Sequence, residues 1–190
     1  VEIKKYNYAD SLKKISDEYI FNDSHCILLY IGNGFKRKGV EEFIKLISRV
    51  KDKNFTAFIV GKDKKMSFYK KLAINLNIEK NIIFTGERKD VENFYCISDI
   101  FILPTHYDPF SNVILEAMSF KNAVFTTMQN GASEILNDEF IMSDPNDFSI
   151  LNRISSLINN PDELSKIKSD NFKLVAKFTM EKNIYDSLRV

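Results

Sequence analysis

The pattern that most constrains the fold is a regular alternation between short apolar runs and segments with apolar residues at helical spacing. Such runs are typical of strands buried on both faces of a parallel sheet, and parallel strands need crossover helices between them. The sequence therefore predicts an α/β domain, with a Rossmann-like parallel sheet and helices on both faces. The predicted strands cover residues 27–31, 55–60, 82–85, 100–103, 123–127 and 140–142. The predicted helices cover residues 9–20, a segment from residue 40, residues 66–76 and 91–97, a segment from residue 112, and residues 148–159 and 161–178.

Composition and charge exclude several classes of protein. The 190 residues are 44% hydrophobic and 28% charged, which suits one compact domain. A net charge of +1 argues against nucleic-acid binding by broad phosphate neutralisation. No apolar run reaches the roughly 18 residues of a membrane span, and no export signal is visible. Cys26 and Cys96 lack C-x-x-C spacing and His25 lies far from His106, so we predict buried thiols in a reducing cytoplasm and no metal site.

The stretch from residue 106 to 121, HYDPFSNVILEAMSFK, carries the first candidate site. It follows the predicted strand at 100–103, and ligands of open α/β sheets bind beyond the carboxyl ends of the strands. A helix that begins near Asn112 would offer free N–H groups to an anion, so we interpret Ser111, Asn112 and Val113 as an anion cradle. Asp108 and Glu116 bracket this helix start. Carboxylates accept hydrogen bonds from paired sugar hydroxyls, so a phosphate flanked by two sugar rings would fit.

Each carboxylate also has a purely structural interpretation. Asp108 before Pro109 is an ordinary helix entry, with Asp as the N-cap and Pro at the first helical position. Glu116 stands among apolar residues, and a buried unpaired charge is costly, so it needs a partner. A salt bridge to a nearby lysine is the alternative to a ligand.

The second candidate site is the turn from residue 32 to 39, GNGFKRKG, which follows the first predicted strand. Gly32, Asn33 and Gly34 permit close approach of the backbone, and Arg37 and Lys38 add two cations. The turn matches neither the dinucleotide fingerprint nor the Walker loop, and a basic run alone is more often a solvated surface. Because this turn and the Asp108 turn leave the same sheet edge, we predict that the cations neutralise a diphosphate in the cradle.

Two shorter loops follow the second and third predicted strands. Lys62 lies in one and Arg88 in the other, and either residue could flank a nucleobase, Arg88 by stacking or through its backbone. Ordinary turn chemistry with solvated charges explains both loops equally well.

Together these motifs resemble the donor-binding half of retaining glycosyltransferases with the GT-B architecture, and the likeness extends over most of the chain. That family carries two carboxylates separated by seven residues, which here are the ends of DPFSNVILE, and an Arg-Lys-Gly turn after the first donor-domain strand. The resemblance implies that Glu116 binds ribose hydroxyls and Asp108 binds hexose hydroxyls of a nucleotide-sugar donor. It implies that Arg37 and Lys38 bind the diphosphate. The bacterial lipopolysaccharide core glucosyltransferases are the members that the motifs resemble most.

The resemblance also implies that the amides of Asn112 and Val113 complete the phosphate site, and that no metal or other cofactor is needed. The anomeric configuration would be retained by a same-face displacement in which the leaving phosphate helps to deprotonate the acceptor. Two positions depart from the family pattern: Asp108 is commonly Glu, and Ser111 is Gly in many members. Both departures bear on the choice of sugar.

A GT-B enzyme has a second half that binds the acceptor, here a glycan or lipid-linked glycan, and we expect that half to lie outside these residues. The segment 180–190 is expected to cross back towards that half. The 190-residue chain by itself should bind donor without transferring sugar. Peripheral association with the inner face of the cytoplasmic membrane is expected of the full-length protein, mainly through the other half. A nucleotide-sugar epimerase, a receiver-like module and an interaction module remain as alternatives.

Overall fold

The computed structural model describes residues 6–51 and 53–178, and the predicted crossing segment at 180–190 lies outside them. In the described part, a parallel sheet of six strands has the order β3-β2-β1-β4-β5-β6. The predicted Rossmann-like sheet is therefore confirmed. The strands are β1 (Cys26–Ile31), β2 (Phe55–Val60), β3 (Ile82–Gly86), β4 (Ile100–Leu103), β5 (Ala123–Thr127) and β6 (Ile141–Met142).

Every predicted helix is present, with ends that differ from the prediction by up to three residues, and one further α-helix lies in the turn after β1. There the four residues of α2 (Phe35–Lys38) form a helical turn between two glycines in the left-handed conformation, Gly34 and Gly39. So short a helix has no apolar period to reveal it. The remaining helices are α1 (Tyr8–Glu18), α3 (Val40–Ser48), α4 (Met66–Asn75), α5 (Val91–Ile97), α6 (Asn112–Ser119), α7 (Leu151–Asn159) and α8 (Pro161–Val175). Short 3₁₀ helices occupy Gly131–Ile135, Asp138–Phe140 and Ala176–Phe178.

Helices cover both faces of the sheet, as predicted. Tyr30 of β1 packs its ring against Phe43 of α3, with centroids 5.7 Å apart. Phe58 of β2 packs against Phe94 of α5 at 5.4 Å. Phe58 pairs in register with Leu29, the neighbour of Tyr30, and neighbouring strand residues point to opposite faces. The two aromatic contacts therefore lie on opposite sides of the sheet.

The strand order positions the two candidate turns side by side. β1 and β4 are hydrogen-bonded neighbours, with Leu28 opposite Ile100. The chain winds outward from β1 to β3 on one side and from β4 to β6 on the other, so the order reverses between β1 and β4. Such a reversal opens a crevice beyond the carboxyl ends of the strands, where ligands of doubly wound sheets bind.

Backbone contacts fix these two turns to each other. The N–H of His106 donates to the carbonyl of Arg37 at 2.9 Å, and the Thr105 hydroxyl donates to the same carbonyl at 3.1 Å. Gly39 lies so close to Pro104 that a Cβ at position 39 would be 1.8 Å from the Pro104 carbonyl oxygen. The turn after β1 therefore lies directly on the end of β4.

Candidate functional site

An ion pair between Lys38 and Asp108 joins the two turns. The Lys38 ammonium donates to Asp108 Oδ2 and, at 3.0 Å, to the hydroxyl of Ser111. Both charged side chains are largely buried, 12% exposed for Lys38 and 10% for Asp108. Burial by itself would raise the pKa of the Asp108 carboxyl, but the hydrogen bond and charge of Lys38 hold it below its ordinary value. The Asp108 carboxyl is therefore ionised at neutral pH.

Arg37 lies beside this pair but is open to solvent. Its Nη1 donates to the carbonyl of Tyr107 at 2.8 Å and lies 3.8 Å from Asp108 Oδ2. The Arg37 side chain is 52% exposed, so it is accessible to a ligand. The structure thus places Arg37, Lys38 and Asp108 together at the sheet edge where the two turns were predicted to meet.

Asn130 was not predicted as a site residue, but it stabilises the turn between Asp108 and Ser111 through hydrogen bonds. Its side chain is fully buried, and its Oδ1 accepts the N–H groups of Ser111 at 3.3 Å and Ala132 at 3.1 Å. Its amide nitrogen donates to the hydroxyl of Thr126 at 3.1 Å. The backbone of Asp108 also pairs with this loop, since its carbonyl accepts the N–H of Gly131 at 3.0 Å. The Asn-Gly pair after β5 was the available signal in the sequence.

The start of α6 forms only part of the predicted cradle. Asn112 is the first helical residue, as predicted, and Ser111 is the N-cap. The N–H of Ser111 is not free, in contrast to the prediction, because Asn130 accepts it. Asn112 and Val113 remain in the first turn, where backbone N–H groups have no acceptor within the helix. Ser111 instead contributes its hydroxyl, which accepts from Lys38.

Glu116 lies one turn further along α6, about 6 Å from Asn112 along the helix axis. The buried hydroxyl of Tyr95 donates to Glu116 Oε2 at 2.9 Å. Burial raises the pKa of Tyr95 and the Glu116 carboxylate raises it further, so the tyrosine remains a protonated donor. No lysine of residues 6–51 or 53–178 pairs with Glu116, which argues against the salt-bridge alternative. A carboxylate can accept at both oxygens, so Oε1 remains available to a ligand.

The loops after β1 and β2 meet beside the site. The side-chain oxygen of Asn33 accepts the N–H of Lys62 at 2.8 Å, and the Lys62 ammonium pairs with Glu87. Gly61 contacts Gly32 closely, since a Cβ at position 61 would lie 2.1 Å from the Gly32 carbonyl oxygen. A cavity of about 120 Å³ opens there, lined by Ile31, Gly32, Asn33, Val60, Gly61, Glu87, Arg88 and Val91.

The side chain of Arg88 is committed to an ion-pair cluster. Its two terminal nitrogens donate to Glu18 at 2.6 and 2.8 Å, and its Nε donates to Asp90 at 2.9 Å. Lys14 pairs with the same Asp90 at 2.8 Å. These ion pairs fix the position of the Arg88 guanidinium, and its stacking on a base stays a prediction. Arg88 also lines the smaller cavity.

A larger cavity of about 830 Å³ lies to one side, between the turn after β1 and the start of α4. Its lining includes none of Arg37, Lys38, Asp108 and Glu116, so it is separate from the crevice at the switch point. Its walls are Asn33, Lys36, Glu41, Lys62, Asp63, Lys64, Lys65, Phe68 and Tyr69. Among the residues that the structure describes, no group of three His, Cys, Asp or Glu side chains could hold a metal ion.

A doubly wound sheet that presents cations, a helix N-terminus and two carboxylates at its switch point defines the class of open α/β domains whose ligands bind at that edge. Within that class, residues 12–173 match the family described as Glycosyl transferases group 1. This match covers most of the chain, so the chain belongs to the glycosyltransferase group 1 family. The resemblance to GT-B glycosyltransferases is confirmed at the level of the family. Membership also argues against the receiver-like and interaction-module alternatives.

Individual relatives agree with this assignment. The lipopolysaccharide glucosyltransferase WaaG of Escherichia coli K12 is 30% identical over 115 residues, which cover 59% of this chain and 30% of that protein. The fold matches Anabaena HepE, solved with UDP and glucose, with a TM-score of 0.82 at 19% identity over 98% of this chain and 54% of that chain. It also matches the C-terminal domain of LpcC from Francisella tularensis, with a TM-score of 0.78 at 23% identity over 93% of this chain and 95% of that domain.

The chain spans less than half the length of the curated relatives, from 30% of the E. coli protein to at most 48% of another. The solved structures share its fold. None of the helices within residues 6–51 and 53–178 has the length and apolar character that crossing a bilayer requires.

Proposed function

We propose that this chain is the C-terminal, donor-binding domain of a GT-B glycosyltransferase. Its donor is a nucleoside diphosphate sugar, a UDP-hexose, and the full-length enzyme transfers the hexose with retention to a lipopolysaccharide, lipooligosaccharide or capsule glycan. The observation that carries the proposal is the position of Lys38, which bridges Asp108 and Ser111 at the start of α6. The relatives include a lipopolysaccharide glucosyltransferase and a capsular polysaccharide glycosyltransferase, which supports the acceptor class.

The diphosphate binds where the positive charges and free amides converge. Lys38 and Arg37 lie on one side, and the N–H groups of Asn112 and Val113 on the other. Because Lys38 is already bonded to Asp108, an incoming phosphate competes with that carboxylate for the ammonium. Asp108 is thereby freed to accept hydrogen bonds from the hexose. In transfer, the same cations stabilise the charge that develops on the leaving diphosphate.

The ribose binds at Glu116, with the carboxylate oriented by Tyr95. The full-length enzyme acts in the cytoplasm and needs no metal, since cations of the chain itself neutralise the leaving group. The acceptor binds to the other half of the enzyme, which associates peripherally with the membrane. Nucleic acid is not a partner.

A ribose role for Glu116 predicts loss of hydroxyl recognition in the Glu116→Gln variant. A hydrogen bond to a charged group contributes about 1.5–3 kcal/mol, so Glu116→Gln should weaken UDP binding by roughly 10- to 100-fold. The variant should also show a smaller preference for UDP over 2′,3′-dideoxy-UDP, because a neutral amide oxygen replaces the charged acceptor. Isothermal titration calorimetry measures both quantities. Tyr95→Phe keeps the carboxylate and should show a smaller loss, and equal affinity of the unsubstituted chain for the two nucleotides would contradict the assignment.

The nucleotide itself is tested by thermal stabilisation. A ligand that binds only the native state stabilises it by about 2.7 kcal/mol at a concentration of 100 times Kd, enough to raise Tm by several degrees in a domain of this size. We expect UDP and UDP-hexoses to raise Tm more than GDP, ADP and their sugars. A larger shift with GDP or ADP would overturn the choice of uridine, and no shift with any nucleotide would overturn the donor-binding function.

A further inference from the structure

The exposed face of α4 combines lysines with large apolar side chains. We define the α4 surface as Lys64, Lys65, Phe68, Lys71 and Ile74. All five residues are exposed, and the apolar pair is well exposed, at 50% for Phe68 and 56% for Ile74. Phe68 also lines the larger cavity together with both lysines that precede the helix. The α4 surface is thus an amphipathic face next to a cavity.

The segment that carries most of the α4 surface is strongly basic although the chain is nearly neutral. Residues 62–71 hold five lysines and one aspartate, a net +4 within a chain of net +1. The neighbouring carboxylates are already engaged: Asp63 accepts the N–H of Phe35 at 2.9 Å, and Glu41 pairs with Lys45 at 2.7 Å. Glu87 pairs with Lys62. Among the described residues, none pairs with Lys64, Lys65 or Lys71, so their charge is available to a partner.

Helix geometry places the exposed apolar side chains of α4 on the same face as a lysine. Phe68, Lys71 and Ile74 are spaced three residues apart, and at about 3.6 residues per turn they form one slanted row on a helix surface. The opposite face of α4 carries Tyr69 and Ala73, which are buried in the core. The helix cannot rotate to bury Phe68 without exposing Tyr69, so the exposed row is a fixed property of the fold.

We propose that the α4 surface docks on an anionic lipid bilayer. Proteins that bind at a bilayer interface combine lysines with large apolar side chains. The lysines attract anionic headgroups, and the apolar side chains enter the boundary with the acyl chains. A soluble phosphate ligand would account for the lysines but not for exposed Phe68 and Ile74. A protein partner is less well matched, since lysine is depleted at protein interfaces. The 830 Å³ cavity, with Lys36 and Lys62 on its walls, has room for a lipid headgroup.

Docking here has a consequence for the orientation of the domain. The loop that holds Lys64 and Lys65 follows β2, just as the turn that holds Lys38 follows β1, and these strands are parallel neighbours. Both loops therefore lie at the same edge of the sheet. A bilayer bound to the α4 surface would therefore lie beside the crevice at the switch point. The inference concerns a surface outside the donor site and does not depend on the identity of the donor.

Vesicle co-sedimentation of the 190-residue chain tests the proposal. We expect binding to vesicles of phosphatidylcholine with phosphatidylglycerol, no binding to phosphatidylcholine alone, and weakening by salt. A lysine near an anionic surface contributes about 1 kcal/mol, so Lys64→Glu with Lys65→Glu should lower the partition coefficient at least about tenfold. Phe68→Ser should lower it several-fold at every salt concentration, because the loss is apolar. Lys13→Glu with Lys80→Glu changes the net charge equally on exposed positions elsewhere and should have little effect.

The shift in Tm with UDP, measured for the same variants, is the control for folding and donor binding. None of Lys64, Lys65 and Phe68 belongs to the donor site, so this shift should be unchanged. Equal partition of the α4 variant and its control, or equal binding to both kinds of vesicle, would overturn the proposal. Stabilisation of the chain by inorganic phosphate, lost in the lysine variant and without vesicle binding, would show a soluble anion site instead. Failure of donor binding alone would leave the lipid result standing.

Discussion

Lys38→Met is expected to abolish most UDP binding and to destabilise the fold at the same time. Truncating one partner of a desolvated charge pair typically costs about 2–5 kcal/mol in binding, so the Kd for UDP should rise by at least about 30-fold. The variant also leaves the Asp108 carboxylate largely buried without its main partner. Breaking a buried pair in this way costs roughly 3 kcal/mol or more in the free energy of unfolding. Isothermal titration calorimetry and urea denaturation measure the two effects separately.

A second variant distinguishes binding from stability. Lys38→Met with Asp108→Asn removes both charges, so much of the stability should return, because no uncompensated carboxylate remains. UDP binding should not return, since the cation is still absent. Arg37→Ala provides the matched comparison: its side chain is 52% exposed, so it should weaken UDP binding with little loss of stability. If Lys38→Met bound UDP as tightly as the unsubstituted chain, the diphosphate site would lie elsewhere.

Gly39→Ala is expected to lower the free energy of unfolding by more than about 3 kcal/mol, because strain and overlap act together. Gly39 has a φ of +80°, in the left-handed region that costs other residues roughly 1–2 kcal/mol. The added Cβ would lie 1.8 Å from the carbonyl oxygen of Pro104, which is backbone and cannot turn aside. The turn after β1 would have to move off the end of β4, and Lys38 would move with it. Urea denaturation monitored by circular dichroism measures the loss.

Gly34→Ala is the matched control within the same turn. Gly34 has a similar φ of +70°, but nothing lies within 4 Å of the Cβ that would be added there. Its substitution should therefore cost only the strain of roughly 1–2 kcal/mol. Comparable losses for the two variants would mean that the approach of Gly39 to Pro104 does not constrain the turn.

The helices and strands could be predicted from the sequence because their signals are local. The predicted bounds of β2, β4, β5 and α5 are those observed, since each is a continuous apolar run or a helical period that a short window contains. The start of α6 at Asn112 was also correct. The α2 turn was not predicted, because four residues between left-handed glycines carry no period.

The sequence predicted the residues of the candidate site and the meeting of its two turns, but not the contacts that support them. The pairing of the two turns at one edge followed from the strand pattern, and the structure shows Arg37, Lys38 and Asp108 together. The supporting contacts could not be predicted. Tyr95 is far from Glu116 in sequence, and Asn130 reaches Ser111 from the loop after β5. Nothing near Arg88 in the sequence showed that Glu18 would take its guanidinium.

The sequence by itself determined the α/β class, the order of the elements and the kinds of side chain that the turns present, because periodicity and turn chemistry act over a few residues. Only the tertiary structure decided which of those side chains meet. Lys38 contacts Asp108 across 70 positions because β1 lies beside β4, and Arg88 binds Glu18 because α1 packs on α5. Such contacts depend on strand order and helix packing, which many sequences with the same local pattern could arrange differently.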